Sequence, residues 1–124
     1  MLPFTTAVRK NGDVAVLDLA GRFTIGSATG VILGAVNNLL KAGERSILLN
    51  LEDVVYLDSA AGIGELVASY LSVHKVGGQL KLLRPGARVE HVLQTVRLNQ
   101  VFETHRSEDE AIRSFAARSS TTSV

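Results

Sequence analysis

A serine stands beside a carboxylate at the end of an apolar run, in the segment Asp58-Ser59-Ala60-Ala61-Gly62. A hydroxyl in this setting can act as a nucleophile, accept a covalent modification or cap a helix. Serine hydrolases present their nucleophile in a Gly-x-Ser-x-Gly turn, and neither flanking glycine is present around Ser59. The sequence places no histidine to serve as its base, so the segment favours binding or capping over catalysis.

Glycines follow this segment at a spacing that resembles a nucleotide-binding loop. Gly62-Ile63-Gly64 lies between a strand-like run and a helical pattern, but Val67 occupies the place of the third glycine of a dinucleotide fingerprint. The three histidines lack the close pairing of a metal-binding helix, and the chain contains no cysteine. We therefore expect no cofactor, no metal and no enzymatic activity.

The composition excludes further classes of function. The chain has 124 residues, of which 46% are hydrophobic and 20% charged, enough for one domain with its own core. The formal charge is +1 and the arginines are dispersed, so no nucleic-acid surface is expected. No apolar run approaches the roughly 18 residues of a membrane span, and the N-terminus lacks a signal-peptide pattern. These features predict a cytoplasmic protein without membrane insertion.

The elements before the serine segment follow from hydrophobic periodicity. Residues 5–9 and 14–19 predict a hairpin around Asn11-Gly12-Asp13, because Asn and Gly tolerate positive φ. Residues 27–41 carry apolar side chains at helical spacing, and the run 46–51 is almost wholly apolar. This order predicts a strand-helix-strand crossover with a central strand that is covered on both faces.

The elements after that crossover frame the serine segment. A second strand-like piece at 54–57 ends at Asp58, and an amphipathic helix follows until Gly77-Gly78. Residues 79–83 predict another strand, and residues 89–96 a short helix. Residues 98–102 fit either an edge strand or a turn.

The last predicted helix sets the boundary of the domain. Ser107 and Glu110 form a capping box, in which each side chain satisfies a free N–H group at the helix start. Residues 118–124 have almost nothing to bury, which predicts a flexible tail after a domain of residues 1–117. The predicted fold class is α/β, a single domain with a mixed sheet of four to five strands and helices packed on it.

Residues 53–67 resemble the signature of STAS domains, specifically of bacterial anti-sigma factor antagonists. The usual signature is an apolar strand, then Asp-Ser-(Ser or Thr)-Gly-(Leu or Ile)-Gly, then an amphipathic helix. Here the corresponding letters are Asp-Ser-Ala-Ala-Gly-Ile-Gly. The resemblance extends to residues 21–24, 47–51 and 77–82, and it spans roughly residues 5–116.

This resemblance implies a binding function and its partners. Such antagonists bind an anti-sigma factor, often a serine protein kinase, and thereby free a sigma factor for transcription. The kinase phosphorylates the second hydroxyl residue of the Asp-Ser-Ser-Gly turn, and a serine phosphatase reverses the reaction. A phosphate at a helix N-terminus meets free N–H groups, so it changes the surface without breaking the fold. The oligomeric state is left open.

The chain departs from the family signature at the phosphoacceptor. Two residues instead of one separate Ser59 from Gly62, so the acceptor position falls on Ala60 or Ala61, and neither has a hydroxyl. Ser59 is the remaining hydroxyl of the segment. We favour a structural role for Ser59, as a helix cap or as a hydroxyl bonded to a neighbouring backbone group, and the alternative is that the longer turn moves it into the acceptor position.

Nearby residues complete the predicted partner-binding surface. Asp58 can cap the helix or contact a partner, whereas Glu65 is expected to be an exposed carboxylate that is solvated or meets a basic partner. Arg22 and Thr24 lie on the neighbouring loop by analogy with the family. The full predicted set is Asp58, Ser59, Ala60, Ala61, Gly62, Gly64, Glu65, Arg22 and Thr24.

Three functions are compatible with this surface. The leading hypothesis is a regulatory module that sequesters an anti-sigma factor. An accessory subunit of a lipid or anion transport system is the first alternative, since STAS domains occur there too. A scaffold subunit of a signalling assembly is the other alternative, and the missing acceptor hydroxyl leaves room for both.

Overall fold

The computed structural model describes residues 3–26 and 28–122, and side chains as far as residue 115. The described chain forms a five-stranded sheet with four α-helices, which confirms the expected α/β fold. The elements are β1 (Thr5–Asn11), β2 (Val14–Phe23), α1 (Val31–Lys41), β3 (Ser46–Leu57), α2 (Ser59–Lys75), β4 (Gln79–Leu83), α3 (Ala87–Thr95), a 3-10 turn (Leu98–Gln100), β5 (Thr104–His105) and α4 (Glu108–Thr122).

The strands lie in the order β1-β2-β3-β4-β5, and only β1 and β2 are antiparallel to each other. The predicted hairpin is confirmed: Asn11 pairs with Val14 across the two-residue loop Gly12-Asp13. Gly12 has a φ of +62°, which a glycine adopts without a Cβ clash. The parallel pair of β2 and β3 confirms the crossover through α1.

The β3 strand corrects the prediction of two separate pieces at 46–51 and 54–57. The polar pair Glu52-Asp53 interrupts the apolar pattern, but β2 continues to pair beyond it, with Ala20 opposite Asp53. The register between β2 and β3 shifts twice along this stretch, between Asp18 and Ala20 and between Gly21 and Arg22, and pairing continues after each shift. The result is one strand of 12 residues. It extends beyond β4, which pairs with β3 only over Ser46–Asn50.

Helix α1 begins later than the periodicity predicted. It starts at Val31 rather than at position 27, which lies outside the described residues. Gly30 is the N-cap with a φ of 86°, and a glycine has no side chain with which to accept hydrogen bonds from the helix start. The helix ends as predicted: Gly43 has a φ of +94°, and its N–H donates to the carbonyl of Leu40 at 3.0 Å.

The two faces of the sheet carry separate hydrophobic cores. Alternate residues of β2 point to opposite faces, so Leu17 contributes to one core and Val16 to the other. The larger core joins the sheet to α1, α2 and α3 through Ile32, Val36, Leu39, Ile63, Leu66, Val73, Val89 and Leu93. The smaller core joins it to α4 through Ala111 and Phe115. The central strand β3 is therefore covered on both faces along Ile47–Leu49, as predicted.

The C-terminal region resolves the open prediction for residues 98–102. This segment contains a 3-10 turn, and the edge strand is the later β5, which pairs parallel to β4. Ser107 Oγ accepts a hydrogen bond from the N–H of Glu110 at 3.3 Å, which is one half of the predicted capping box. Helix α4 continues to Thr122, and residues 123–124 of the proposed tail lie outside the described residues. The flexibility of that tail stays a prediction.

Candidate functional site

Asp58 is the N-cap of helix α2. Its backbone is extended, and its Oδ1 accepts hydrogen bonds from the N–H groups of Ala60 at 3.1 Å and Ala61 at 2.8 Å. A carboxylate in this position satisfies free donors and also interacts favourably with the positive end of the helix. Of the two roles considered for Asp58, the structure therefore shows the capping role.

This assignment changes the interpretation of Ser59. Of the two structural roles expected for Ser59, that of helix cap is wrong, because Asp58 is the cap and Ser59 is the first helical residue. The Ser59 side chain is exposed and makes no hydrogen bond with the described residues. Ala60 is also exposed, and Ala61 is half-buried. The helix start thus presents one hydroxyl and one methyl group to solvent.

The two glycines of the turn have different surroundings. Gly62 is buried, and its N–H donates to the carbonyl of Asp58 at 2.7 Å. A Cβ at Gly62 would overlap the side chain of Leu57, so the glycine allows the helix to pack against the end of β3. A Cβ at Gly64 would meet no atom within 4 Å. Tight packing therefore explains Gly62 but not Gly64.

Glu65 contradicts the expectation of an exposed carboxylate. Its exposed fraction is 8%, and the carboxylate lies against the N-terminus of α1. Oε1 accepts hydrogen bonds from the N–H groups of Ile32 at 2.7 Å and Leu33 at 3.0 Å, and Oε2 accepts one from Gly30 at 2.8 Å. Glu65 thus supplies the side-chain cap that Gly30 cannot provide. It positions α1 against α2 and is not available as a surface charge.

The end of β2 and the loop after it lie beside the turn, and Arg22, which was expected on the loop, is part of strand β2, whereas Thr24 follows the strand. The N–H of Asp58 donates to the carbonyl of Phe23 at 3.0 Å, which holds the end of β2 against the start of α2. Arg22 is exposed, and its guanidinium lies 4.7 Å from the ring centroid of Tyr56 on β3. Thr24 is half-buried in the same loop. The predicted residues Arg22, Thr24 and Asp58 therefore belong to one end of the sheet.

A groove of about 180 Å³ adjoins the turn. One wall is the end of β3 from Val54 to Leu57, and the other is the start of α3 from Gly86 to Val89. Ser59 and Ile63 close the end of the groove at α2. The sequence did not indicate this groove, because it depends on how far β3 extends beyond β4.

A cluster of charged side chains lies away from the turn, at the start of α4. Arg9 Nη2 is 2.7 Å from Glu108 Oε1, and Arg9 Nε is 2.7 Å from Asp18 Oδ2. The hydrogen bond from Arg9 is the main cause that lowers the pKa of Glu108 to about 2, and it also lowers the pKa of Asp18. Asn11 Nδ2 adds a hydrogen bond to Glu108 at 2.8 Å. This cluster ties α4 to the β1–β2 hairpin.

A buried lysine on β4, Lys81, contacts α4. Lys81 is 4% exposed, and its Nζ lies 2.7 Å from Ser114 Oγ and 2.9 Å from Glu103 Oε2. Burial raises the pKa of Glu103, but hydrogen bonds from Lys81 and His105 outweigh this effect and lower it. A lysine in this strand was not singled out from the sequence; its only signal is its place between two leucines of a buried strand.

The described side chains contain no group of three or more histidine, aspartate or glutamate residues arranged to hold a metal ion. None of the described helices combines the length and the apolar composition that crossing a bilayer requires. The side chains that line the groove beside Ser59 include no histidine and no carboxylate that could act as a base, and Tyr56 and Arg88 are its other polar members. The arrangement can offer a shaped surface with one hydroxyl.

Comparison with known proteins gives consistent matches. The STAS domain family model matches residues 5–111. A candidate anti-sigma factor antagonist of Thermotoga neapolitana is 34% identical over 82 residues, which cover 66% of this chain and 72% of the relative. The crystal structure of a candidate anti-sigma factor antagonist of Thermotoga maritima superposes with a TM-score of 0.81 at 24% identity, covering 90% of this chain and 94% of that chain.

A second solved structure is the phosphorylated form of the Bacillus cell fate determinant SpoIIAA. Its TM-score is 0.68 at 22% identity, and the match covers 88% of this chain and 97% of that chain. At this level of identity the two solved structures establish a shared fold. The family match over residues 5–111 and the Thermotoga neapolitana relative establish membership of the family.

Proposed function

Because this chain belongs to the STAS domain family, we propose that it is an anti-sigma factor antagonist. It binds an anti-sigma factor of the serine-kinase type in the cytoplasm and so frees a sigma factor for transcription. The binding surface in this proposal is the exposed start of α2 together with Arg22 near the end of β2 and Thr24 in the loop that follows. The protein acts by binding and catalyses no reaction.

One observation carries the proposal: the start of α2 is structurally complete without Ser59 and Ala60. Asp58 caps the helix, Gly62 packs against Leu57, and the side chains of Ser59 and Ala60 remain exposed. A rigid helix start with unengaged side chains can meet a partner without a loss of internal contacts. The loop after β2 is fixed beside it by the hydrogen bond between Asp58 and Phe23.

In this proposal the antagonist lacks the usual phosphoacceptor. Counted from either side of the turn, that position holds Ala60 or Ala61, and an alanine accepts no phosphate. The surface then stays competent for binding when the kinase is active. Ser59 is the competing acceptor, since its hydroxyl is exposed and does not cap the helix.

The binding surface can be tested with an anti-sigma factor of the serine-kinase type from the same genome, by isothermal titration calorimetry. Ala60→Glu places bulk and charge in the centre of the surface, and a carboxylate in the first helical turn is compatible with α2. We expect binding to weaken by about tenfold or more, equivalent to about 1.4 kcal/mol. Asn38→Glu, on the exposed side of α1, is the matched control and should bind as the native chain does.

Two results would overturn this function. Equal binding by the native chain and Ala60→Glu would show that the start of α2 is not the interface. A pull-down that recovers transporter subunits and no anti-sigma factor would favour the transport alternative. Phosphopeptide mapping after incubation with the kinase and ATP tests the acceptor separately. Phosphorylated Ser59 would show that the kinase can regulate this antagonist, and would contradict the proposal that it lacks an acceptor.

A further inference from the structure

The end of β3 has an open edge. On one side β2 pairs with β3 as far as Leu57, whereas on the other side β4 stops opposite Asn50. The first part of this edge is already closed, because the N–H of Glu52 donates to Asn50 Oδ1 at 3.1 Å and Arg84 pairs with the Glu52 carboxylate. Residues 53–57 remain without a strand neighbour on this side, and an unpaired strand edge is a template for another strand.

The groove described above runs along this open edge. One wall is formed by residues 54–57 of β3, and the start of α3 forms the opposite wall. Val55 is 60% exposed, so the edge offers an apolar side chain as well as main-chain groups. The lining contains no acidic residue, and its one charged residue is Arg88.

Two arginines converge on one tyrosine at this groove. The guanidinium of Arg22 lies 4.7 Å from the ring centroid of Tyr56, and that of Arg88 lies 5.4 Å from it. Within the described chain, neither guanidinium is within salt-bridge distance of a carboxylate, in contrast to Arg9 and Arg84. The ring orients both cations and leaves their charge without an anionic partner.

We propose that this groove binds an acidic, extended segment of a partner protein, which adds to the open edge of β3 as a strand. Its carboxylates pair with Arg22 and Arg88, and its alternate apolar side chains pack on Val55 and the start of α3. Asp53 lies at the other end of the open stretch, with Glu52 just before it, so the carboxylates of the segment are favoured beside Tyr56. The proposal does not rest on the proposed function, because a segment of this charge and conformation is recognised by the strand edge whichever protein carries it; Arg22 and Ser59 belong to both surfaces.

The shape of the groove favours a strand over a helix. Its volume of about 180 Å³ is small, and one wall is an open strand edge with main-chain donors and acceptors. A helix satisfies its own backbone groups and gains nothing from that edge. An extended segment can bond to the edge along residues 53–57 and place every second side chain in the groove.

The test is an NMR titration of the isotope-labelled full chain with a synthetic peptide of alternating Glu and Val, as long as the stretch 53–57. We expect amide shift changes along 53–57 and at the start of α3, with affinity that falls as salt rises. The same peptide with every backbone nitrogen methylated keeps its charge and its side chains but has no N–H to donate to the strand edge, so it should bind at least about tenfold more weakly. A peptide with Lys in place of Glu should not bind.

A matched pair of double variants completes the test. Arg22→Gln with Arg88→Gln removes both charges but keeps a polar side chain at each position, and should weaken binding of the acidic peptide by about tenfold. Arg97→Gln with Arg113→Gln removes the same charge from other exposed sites and should bind normally. Three results would overturn strand addition: an equal loss in both double variants, equal binding of the peptide whose backbone nitrogens are methylated, or full competition by inorganic phosphate.

Discussion

Helices α1 and α2 begin in opposite ways, although they lie side by side in the same layer. The start of α2 is capped by Asp58, the residue immediately before it. The start of α1 has Gly30 as its N-cap, and its cap is Glu65, which is 33 residues away from Ile32 along the chain. Both helix starts obtain a carboxylate, because both leave N–H groups that need acceptors.

The difference shows which helix start depends on the rest of the fold. Helix α2 carries its cap with it, so its first turn can be complete as soon as the local chain is ordered. Helix α1 receives its cap only after α2 has packed beside it. The carboxylate of Glu65 is buried and accepts three hydrogen bonds, whereas that of Asp58 accepts two and is half-buried. The remote cap is therefore expected to be the more costly one to remove.

The largest effect is expected from Glu65→Ala. Three backbone donors at the start of α1 lose their acceptor in a site that excludes most water, and we expect a loss of about 3 kcal/mol in the free energy of unfolding. Urea denaturation followed by circular dichroism measures this loss. Glu65→Gln should lose less, because the amide oxygen still accepts on one side while its NH₂ group faces a donor on the other.

A contrary result is easily recognised. If Glu65→Ala unfolds at the same urea concentration as the native chain, the carboxylate is not a cap that matters for stability. If Glu65→Gln loses as much as Glu65→Ala, the charge rather than the acceptor count is the dominant contribution.

A smaller effect is expected from Asp58→Ala. The loss of a local N-cap costs about 1 kcal/mol in the free energy of unfolding. Asp58→Asn should stay within about 0.3 kcal/mol of the native chain, because Asn also caps well. The comparison sharpens when the anti-sigma factor is added. Normal stability with weakened binding in Asp58→Asn would give the carboxylate a second role in partner contact, whereas unchanged binding would limit it to the cap.

The smallest effect concerns a third helix start, that of α4, where Glu108 pairs with Arg9. The ordinary pKa of Glu108 is 4.5 and its pKa in the folded chain is about 2. Since the folded-state pKa is the lower one, the stabilisation is present above about pH 4.5 and is lost as the pH falls toward 2. Both partners are partly exposed, so solvent screening keeps the effect small.

Urea denaturation between pH 5 and pH 2.5, about the window of that titration, measures this contribution. The urea midpoint of the native chain should fall with pH more steeply than that of Glu108→Gln. Some slope remains in the variant, because the pKa of Asp18 is also lowered by Arg9. Equal slopes in the two proteins would contradict a stabilising Glu108–Arg9 pair.

Most of the fold was predictable because its signals are local. The hairpin followed from the turn residues at Gly12, the end of α1 from Gly43, and the crossover from the alternation of apolar runs with a helical pattern. The family signature at 53–67 located the candidate surface. The prediction failed at Glu52-Asp53, where two polar residues suggested a break, because pairing with β2 outweighs the local pattern.

The candidate site was less predictable, because side-chain roles depend on what packs nearby. Glu65 has the same local spacing as a solvated residue of a surface helix, and only the position of α1 makes it a buried cap. Ser59 was a reasonable cap by residue type, but Asp58 occupies that position. The open edge of β3 depends on the unequal lengths of β3 and β4, which no motif records.

The sequence by itself determined the hairpin, the crossover and the helices around them, the family, and the absence of a hydroxyl at Ala60 and Ala61. These properties depend on residue types and short spacings, which are present in the chain before it folds. The tertiary structure alone decided that Glu65 stabilises α1, that Ser59 is left exposed, and that Arg22 and Arg88 meet on Tyr56. Each of these joins residues from different elements, and such contacts exist only once the sheet has brought those elements together.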